Sequence, residues 1–156
     1  MTQTAAALTT DARTAIADAL NQSVAETAVT TMLAQNFHWN VTGMAFAPLH
    51  ELFQKIYEDH FEGQDDRAER VRALDAHAEG TLAGMLKRSK VAEHDGHASD
   101  QEMIKAMLVA QETLAATLAG CGALAAEHGD TLTEDLCIAR GQTHEKFAWF
   151  LRAHLA

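Results

Sequence analysis

The chain contains few of the residues that mark several large classes of protein. One proline (Pro48) and two cysteines (Cys121 and Cys137) occur in 156 residues. Two cysteines are too few for a disulfide framework, so we interpret both as small buried side chains in a reducing compartment. Runs of β-branched residues are scarce and alanine is abundant, which favours helix along nearly the whole chain.

Long apolar runs and basic stretches are scarce as well. No segment approaches the roughly 20 apolar residues that a membrane-spanning helix needs. The first residues have neither a basic start nor a long apolar stretch, so we expect no secretory signal, no membrane partner and a cytoplasmic location. With 22 acidic and 12 basic residues the net charge is −10, which attracts cations and opposes loose binding to nucleic acid.

The spacing of apolar residues predicts two helices in the first half of the chain. The first helix runs from about residue 10 to residue 40, and an inward-facing stripe of residues at three- and four-residue steps ends at His38. A loop follows it. Pro48 suits the first turn of a second helix, which runs to about residue 74.

Two further long helices are predicted after a mixed crossover at residues 75–98, which holds a short helix near 81–88. The third helix opens at Ser99 with the capping-box partner Glu102, and the fourth repeats the spacing with Thr131 and Glu134. This order predicts an all-α protein, a ferritin-like four-helix bundle with a short helix in the long crossover between helices two and three. We expect one domain over 1–156, with a short flexible N-terminus at 1–9.

The sequence lacks the ligands of an ordinary di-iron bundle. Such bundles carry Glu-x-x-His pairs on two helices, and no glutamate of this chain has a histidine three residues later. The first helix has a single glutamate, Glu26. The second helix instead offers His50, Asp65 and Glu69 as candidate metal ligands, with the two carboxylates four residues apart on one face.

His50 and Asp65 lie too far apart on one helix to bind the same metal. Their separation along the sequence corresponds to about 22 Å at a rise of 1.5 Å per residue. If two copies pack this helix antiparallel about a two-fold axis near Tyr57 and Glu58, position 50 of one copy meets position 65 of the other. The sequence therefore favours a dimer with two identical sites, each built from both chains.

Several spaced elements resemble the signature of the Dps family, the miniferritins named for protecting DNA in starved cells. They lie between positions 38 and 70, and the ending at 129–151 is similar to the family's last helix. The matching residues are His38-Trp39-Asn40-Val41, Gly43, Phe46, Leu49-His50-Glu51 and Asp65-x-x-Ala68-Glu69-Arg70. The resemblance implies a hollow dodecamer that oxidises Fe²⁺ with hydrogen peroxide or O₂ and stores the ferric product inside.

The resemblance also implies a role for each matching side chain. His38 and His50 match the family's histidine ligands from one subunit, and Asp65 and Glu69 match its carboxylate ligands from the two-fold mate. Trp39 matches the tryptophan beside the site, which helps to trap radicals. Two imidazoles and two carboxylates suit Fe²⁺, and Zn²⁺ would compete because it generally binds such ligands more tightly.

One position departs from the family pattern. Four residues after His50 the better-known members carry a carboxylate, whereas this chain has Gln54. An amide oxygen carries no net charge, so we expect the second iron to bind more weakly unless a nearby acid replaces the missing ligand. Glu62, three residues before Asp65, is the best placed of these acids along the helix.

Acidic residues gather near the start of the fourth helix. Asp130, Glu134 and Asp135 lie where related shells place the acids of a three-fold pore, so we expect Fe²⁺ to enter there. The alternative interpretation is that they are ordinary acids which stabilise a helix N-terminus through its dipole.

Basic residues are missing where relatives that pack DNA carry a flexible, lysine-rich tail. The first twelve residues contain no Lys or Arg, and one small basic cluster lies in the crossover at Lys87, Arg88 and Lys90. We therefore expect weak or no DNA binding. Two alternatives stay open, a nucleoid-packing DNA-binding protein with a secondary iron site and a structural helical oligomer with vestigial histidines.

Overall fold

The computed structural model describes residues 4–156, and every regular element in this part of the chain is helical. A 3₁₀ turn at Ala5–Ala7 precedes five α-helices. Their bounds are Thr10–Asn40 (α1), Phe46–Ala73 (α2), Leu82–Arg88 (α3), Asp100–Glu127 (α4) and Thr131–His154 (α5). Four long helices and one short crossover helix confirm the predicted all-α, ferritin-like bundle.

The bundle consists of two helical hairpins joined by the long crossover. Helix α1 packs on α2, α4 packs on α5, and contacts between α1 and α4 hold the hairpins together, while α3 lies against α1. One core cluster surrounds Phe37, Phe53 and Met107, and a second surrounds Leu20 and Leu118. The apolar stripe along α1 therefore faces inward, as its spacing predicts.

Part of the segment at 1–9, which we expected to be flexible, packs on the core. Residues 1–3 lie outside the described part of the chain. Leu8 is buried and packs in the same cluster as Ala12 and Ile16, so the segment directly before α1 is held by the core. Thr9 caps α1 by accepting a hydrogen bond from the backbone N–H of Ala12.

Of the two helix starts predicted from capping patterns, the start of α4 is confirmed and the start of α5 is not. Ser99 and Glu102 form the predicted capping box at α4. The predicted cap of α5 at Thr131 is wrong, because Asp130 is the N-cap and accepts from the backbone N–H of Thr133. Asp130 is preferred since its carboxylate also receives a charged hydrogen bond from Arg70 on α2, at 2.7 Å.

Helix α4 is more apolar than we expected of any segment in this chain. It is long and apolar enough by length and composition to cross a bilayer. Its large apolar side chains Met103, Met107 and Leu114 are instead fully buried in the bundle. The composition is that of a core helix and does not by itself indicate a membrane span.

A chain of polar side chains crosses the bundle interior, and no spacing in the sequence marks it. Gln111 on α4 lies between two buried histidines, His144 on α5 and His60 on α2, with hydrogen bonds of 2.8 and 3.0 Å. Asp59 accepts from His60, and Arg67 lies at 3.5 Å from the other nitrogen of His144. In each histidine Nδ1 faces an acceptor and Nε2 faces a donor. All of these hydrogen bonds can form together only if both imidazoles are neutral.

Burial keeps these two histidines neutral. Desolvation lowers the pKa of both His60 and His144 below the ordinary value of 6.5, and for His144 the neighbouring His60, Arg67 and Arg140 lower it further. The unfolded chain therefore binds protons that the folded chain excludes. As the pH falls below 6.5, the free energy of unfolding should fall as well, whereas it is unaffected by these groups above that pH.

Replacing His144 should weaken this pH dependence. We expect His144→Gln to lower stability at neutral pH, because the hydrogen-bond chain is disturbed, yet to give a shallower loss of stability below pH 6.5. Denaturant unfolding of the protein at several pH values, with a chelator present, measures both effects. His97→Gln, at an exposed position, is the matched control and should keep the wild-type slope. An equally steep slope in His144→Gln would contradict the assignment.

Candidate metal centre

The α1–α2 hairpin brings together the two histidines of the sequence motif. His38 lies in the last turn of α1 and His50 in the second turn of α2. The connecting loop turns through Gly43, whose φ of 100° lies in the left-handed region that favours glycine. The two imidazole rings stack with their centroids 3.7 Å apart and their planes 17° from parallel.

Each of these histidines is held by a backbone carbonyl of the other. Nδ1 of His38 lies 2.7 Å from the carbonyl oxygen of His50, and Nδ1 of His50 lies 2.8 Å from the carbonyl oxygen of His38. A carbonyl oxygen only accepts, so both Nδ1 atoms carry the proton. In a neutral ring, Nε2 then keeps its lone pair. Both side chains are therefore oriented to offer Nε2 to a metal, as metal-ligating histidines usually are.

Aromatic side chains enclose the histidine pair. Tyr57 meets the ring of His38 edge-on at 5.4 Å, and Phe46 stacks on His50 at 5.2 Å between centroids. Trp39, next to His38 in sequence, is 63 % exposed. Phe61, about three turns further along α2 than His50, is 73 % exposed.

The structure does not bring the predicted carboxylate ligands to the histidines. Asp65 and Glu69 are exposed on α2, far along the helix from His50. Across residues 4–156, no group of three or more His, Cys, Asp or Glu side chains could hold a metal ion. A single chain therefore presents two nitrogen ligands in one place and two carboxylates in another.

The departure at Gln54 has a structural consequence. Its side-chain amide donates a 2.7 Å hydrogen bond to Glu58, one turn further along α2. Gln54 thus positions the carboxylate of Glu58 on the helix face that begins at His50. The amide oxygen of Gln54 itself adds no charge there. Glu62 is exposed one turn beyond Glu58, and it lies about 18 Å along the helix from His50.

The three predicted pore acids fall into two groups. Asp130 is fully buried, caps α5 and pairs with Arg70, so its assignment as a pore acid is corrected to a structural role. Glu134 is half-buried and Asp135 is exposed in the first turns of α5. Only these two are available to face a channel.

Glu26 is the acid on α1 that lies inside the bundle. It is fully buried, its Oε1 accepts from Gln22 at 2.7 Å, and its Oε2 has no hydrogen-bond partner. No second carboxylate joins it in a metal-binding group within the described residues. The bundle interior is therefore not equipped as a di-iron centre, in agreement with the missing Glu-x-x-His pairs.

Comparison with known proteins agrees with this fold. Residues 17–156 match the ferritin-like domain family model. The chain is 34 % identical to general stress protein 20U of Bacillus subtilis, over 88 % of this chain and 94 % of that protein. It is also 34 % identical to the DNA protection during starvation protein of Brevibacillus brevis, over 90 % of this chain and 94 % of that protein.

Solved structures give the same result. A crystal structure of the Dps protein from Vibrio cholerae, described as a member of a superfamily of ferritin-like diiron-carboxylate proteins, superposes with a TM-score of 0.91. The two chains are 30 % identical, and the match covers 96 % of this chain and 94 % of that one. The fold is thus a ferritin-like domain. Within that class, the chain belongs to the Dps family.

Restoring the carboxylate at position 54 should strengthen metal binding beside the histidines. We expect Gln54→Glu to tighten the second Fe²⁺ about tenfold, since a nearby negative charge attracts a dication by ~1 kcal/mol or more. Anaerobic titration of the assembled protein measures the affinity. Gln142→Glu, at an exposed position on α5, adds the same charge elsewhere and should leave the affinity unchanged. Two equally tight irons in the unmodified protein would contradict the argument.

Proposed function

We propose that this protein is a ferroxidase and iron-storage shell that protects the cytoplasm from oxidative damage. Fe²⁺ is its substrate, hydrogen peroxide or O₂ is the oxidant, and ferric mineral is the product. Iron binding in general is supported by membership of a family that has a relative described as part of a superfamily of ferritin-like diiron-carboxylate proteins. The observation that carries the proposal is the histidine pair. Reciprocal hydrogen bonds at Nδ1 leave both Nε2 atoms free to bind a metal, which would then need further ligands.

The missing ligands come, in this proposal, from a second copy of the chain. Asp65 and Glu69 of the two-fold mate would complete the set around His38 and His50, so that each dimer holds two sites. Phe61, largely exposed between the two halves of the motif on α2, would be covered by the same contact. Dimers of this kind would assemble further into the dodecameric shell.

The chain's own residues define what happens at such a site. The imidazoles and carboxylates hold Fe²⁺ and leave coordination positions open to the oxidant. Hydrogen peroxide accepts one electron from each of two Fe²⁺ ions, and with two protons its oxygen atoms leave as water. Trp39 lies beside His38 and would donate an electron to any radical that escapes. Zn²⁺ would compete for the same ligands.

Iron entry is assigned to the start of α5. A three-fold arrangement would triple Glu134 and Asp135, and the repeated negative charge would concentrate cations at the opening. The net charge of −10 on each chain acts in the same direction. Asp130 takes no part, because Arg70 neutralises it inside the protein.

DNA binding has little support in the structure. Of the cluster Lys87, Arg88 and Lys90, Arg88 is already paired with Asp18 at 2.8 Å. Within the part of the chain that the structure describes, Lys87 and Lys90 are then the unpaired cations of this cluster, on a chain whose net charge is −10. We propose that protection of DNA comes from removing Fe²⁺ and peroxide, and that the nucleoid-packing alternative is the weaker one.

Subunit mixing tests whether the site spans two chains. Co-assembled His50→Ala and Asp65→Ala subunits should recover about a quarter of the sites, because half of the random dimers are mixed and each has one intact site. Initial rates of Fe²⁺ oxidation by peroxide measure the recovery. A mixture of His38→Ala and His50→Ala is the matched control and should recover nothing, since both residues serve from the same chain. Equal rates in the two mixtures would contradict a shared site.

A plasmid gel-shift assay separates iron storage from DNA packing. We expect no retardation at neutral pH and low salt with a chelator present, because the chain offers too few cations to release the counterions of DNA. Retardation that disappears as salt rises would favour the nucleoid-packing alternative. If the cluster at Lys87, Arg88 and Lys90 does contact DNA, charge reversal at Asp18 (Asp18→Lys) should increase retardation, since it frees Arg88 and adds a cation beside it.

A further inference from the structure

The two cysteines lie in the contact between α4 and α5. Cys121 on α4 and Cys137 on α5 are both buried and belong to the same core cluster. Next to Cys121, a Cβ atom added at Gly122 would come within 3.2 Å of the Cβ of Cys137. The side chain of Cys137 therefore packs closely on the α4 backbone beside Cys121. The two thiols are near enough to share a hydrogen bond.

The two thiols differ in their access to solvent. Both side chains are buried, but Cys137 lines a cavity of about 300 Å³ between α4 and α5 and Cys121 does not. Small residues, among them Ala119 and Gly141, line the cavity and keep it open. A molecule the size of hydrogen peroxide therefore reaches the sulfur of Cys137 first.

The two thiols also differ in acidity. The hydrogen bond from Cys121 lowers the pKa of the Cys137 thiol, and the guanidinium of Arg67 lowers it further against the opposing effect of burial. The same hydrogen bond and burial raise the pKa of Cys121. Together with its position at the cavity, this makes Cys137 the thiol that we expect to react first.

We propose that Cys121 and Cys137 form a second peroxide-consuming site that works without iron. The sulfur of ionised Cys137 attacks one oxygen of hydrogen peroxide and the O–O bond breaks, leaving a sulfenic acid. The departing hydroxide leaves as water with the proton that Cys137 released. The sulfur of Cys121 then attacks the sulfur of Cys137. A disulfide forms, the S–O bond breaks, and the hydroxide leaves as a second water with the proton of Cys121.

This site is independent of the proposed ferroxidase function. It needs neither the partner chain nor His38 and His50, and its electrons come from two thiols of one chain. Each chain reduces one molecule of peroxide to two molecules of water and then waits for an external thiol to reduce the disulfide. The protein could in this way remove peroxide while its iron sites are empty.

Peroxide treatment of the iron-free assembled protein, with chelator present, tests the proposal. We expect the loss of both thiols on thiol counting under denaturing conditions, one peroxide consumed per chain, and an intrachain Cys121–Cys137 disulfide in the peptide mass spectrum. In Cys121→Ser, a sulfenic-acid trap should label Cys137, and no disulfide should form. Unchanged thiols, or labelling that begins at Cys121 in Cys137→Ser, would overturn the proposal.

A second test keeps both cysteines in place, so its result does not depend on whether the serine variants fold. Gly141→Leu places a large side chain in the cavity, where a Cβ meets no atom within 4 Å, and should slow thiol oxidation severalfold. Gly120→Leu is the matched control, because a Cβ there also meets no atom and the residue does not line the cavity. Equal oxidation rates in the two variants would overturn the role of the cavity.

Discussion

The reciprocal hydrogen bonds between His38 and His50 are the constraint on which the site depends. Each Nδ1–H donates to the other residue's backbone carbonyl, so the same two bonds close the α1–α2 hairpin and fix both tautomers. Because the rings also stack at 3.7 Å, neither can rotate without breaking the pair. The hairpin therefore holds two Nε2 ligands in place, and the side chains need little rearrangement to bind a metal.

The same constraint explains why one chain is not enough. Two imidazoles alone leave a divalent cation short of ligands and of negative charge, and Asp65 and Glu69 of the same chain lie too far along α2 to bind that metal. Pairing α2 with its symmetry mate would meet both needs while covering the exposed Phe61. The bundle interior stays free for packing, with its polar chain through His60, Gln111 and His144 serving stability rather than iron.

Local patterns in the sequence predict a large part of the fold, because helices are built from near neighbours. The limits of α1, the crossover helix and the Ser99 capping box follow from spacing alone. The cap of α5 does not, since Asp130 is selected over Thr131 by Arg70, which lies sixty residues earlier in the chain. The sequence also does not predict the acceptors of the His38 and His50 protons, because both are backbone carbonyl oxygens that the hairpin brings into place.

Anomalous diffraction from crystals of the assembled protein, soaked anaerobically in Fe²⁺, locates the bound metal and its ligands. If the site is shared, iron will lie at the two-fold interface, bound by Nε2 of His38 and His50 from one subunit and by Asp65 and Glu69 from its mate. Iron inside the bundle beside Glu26, or iron bound by ligands of one chain alone, would contradict the shared site.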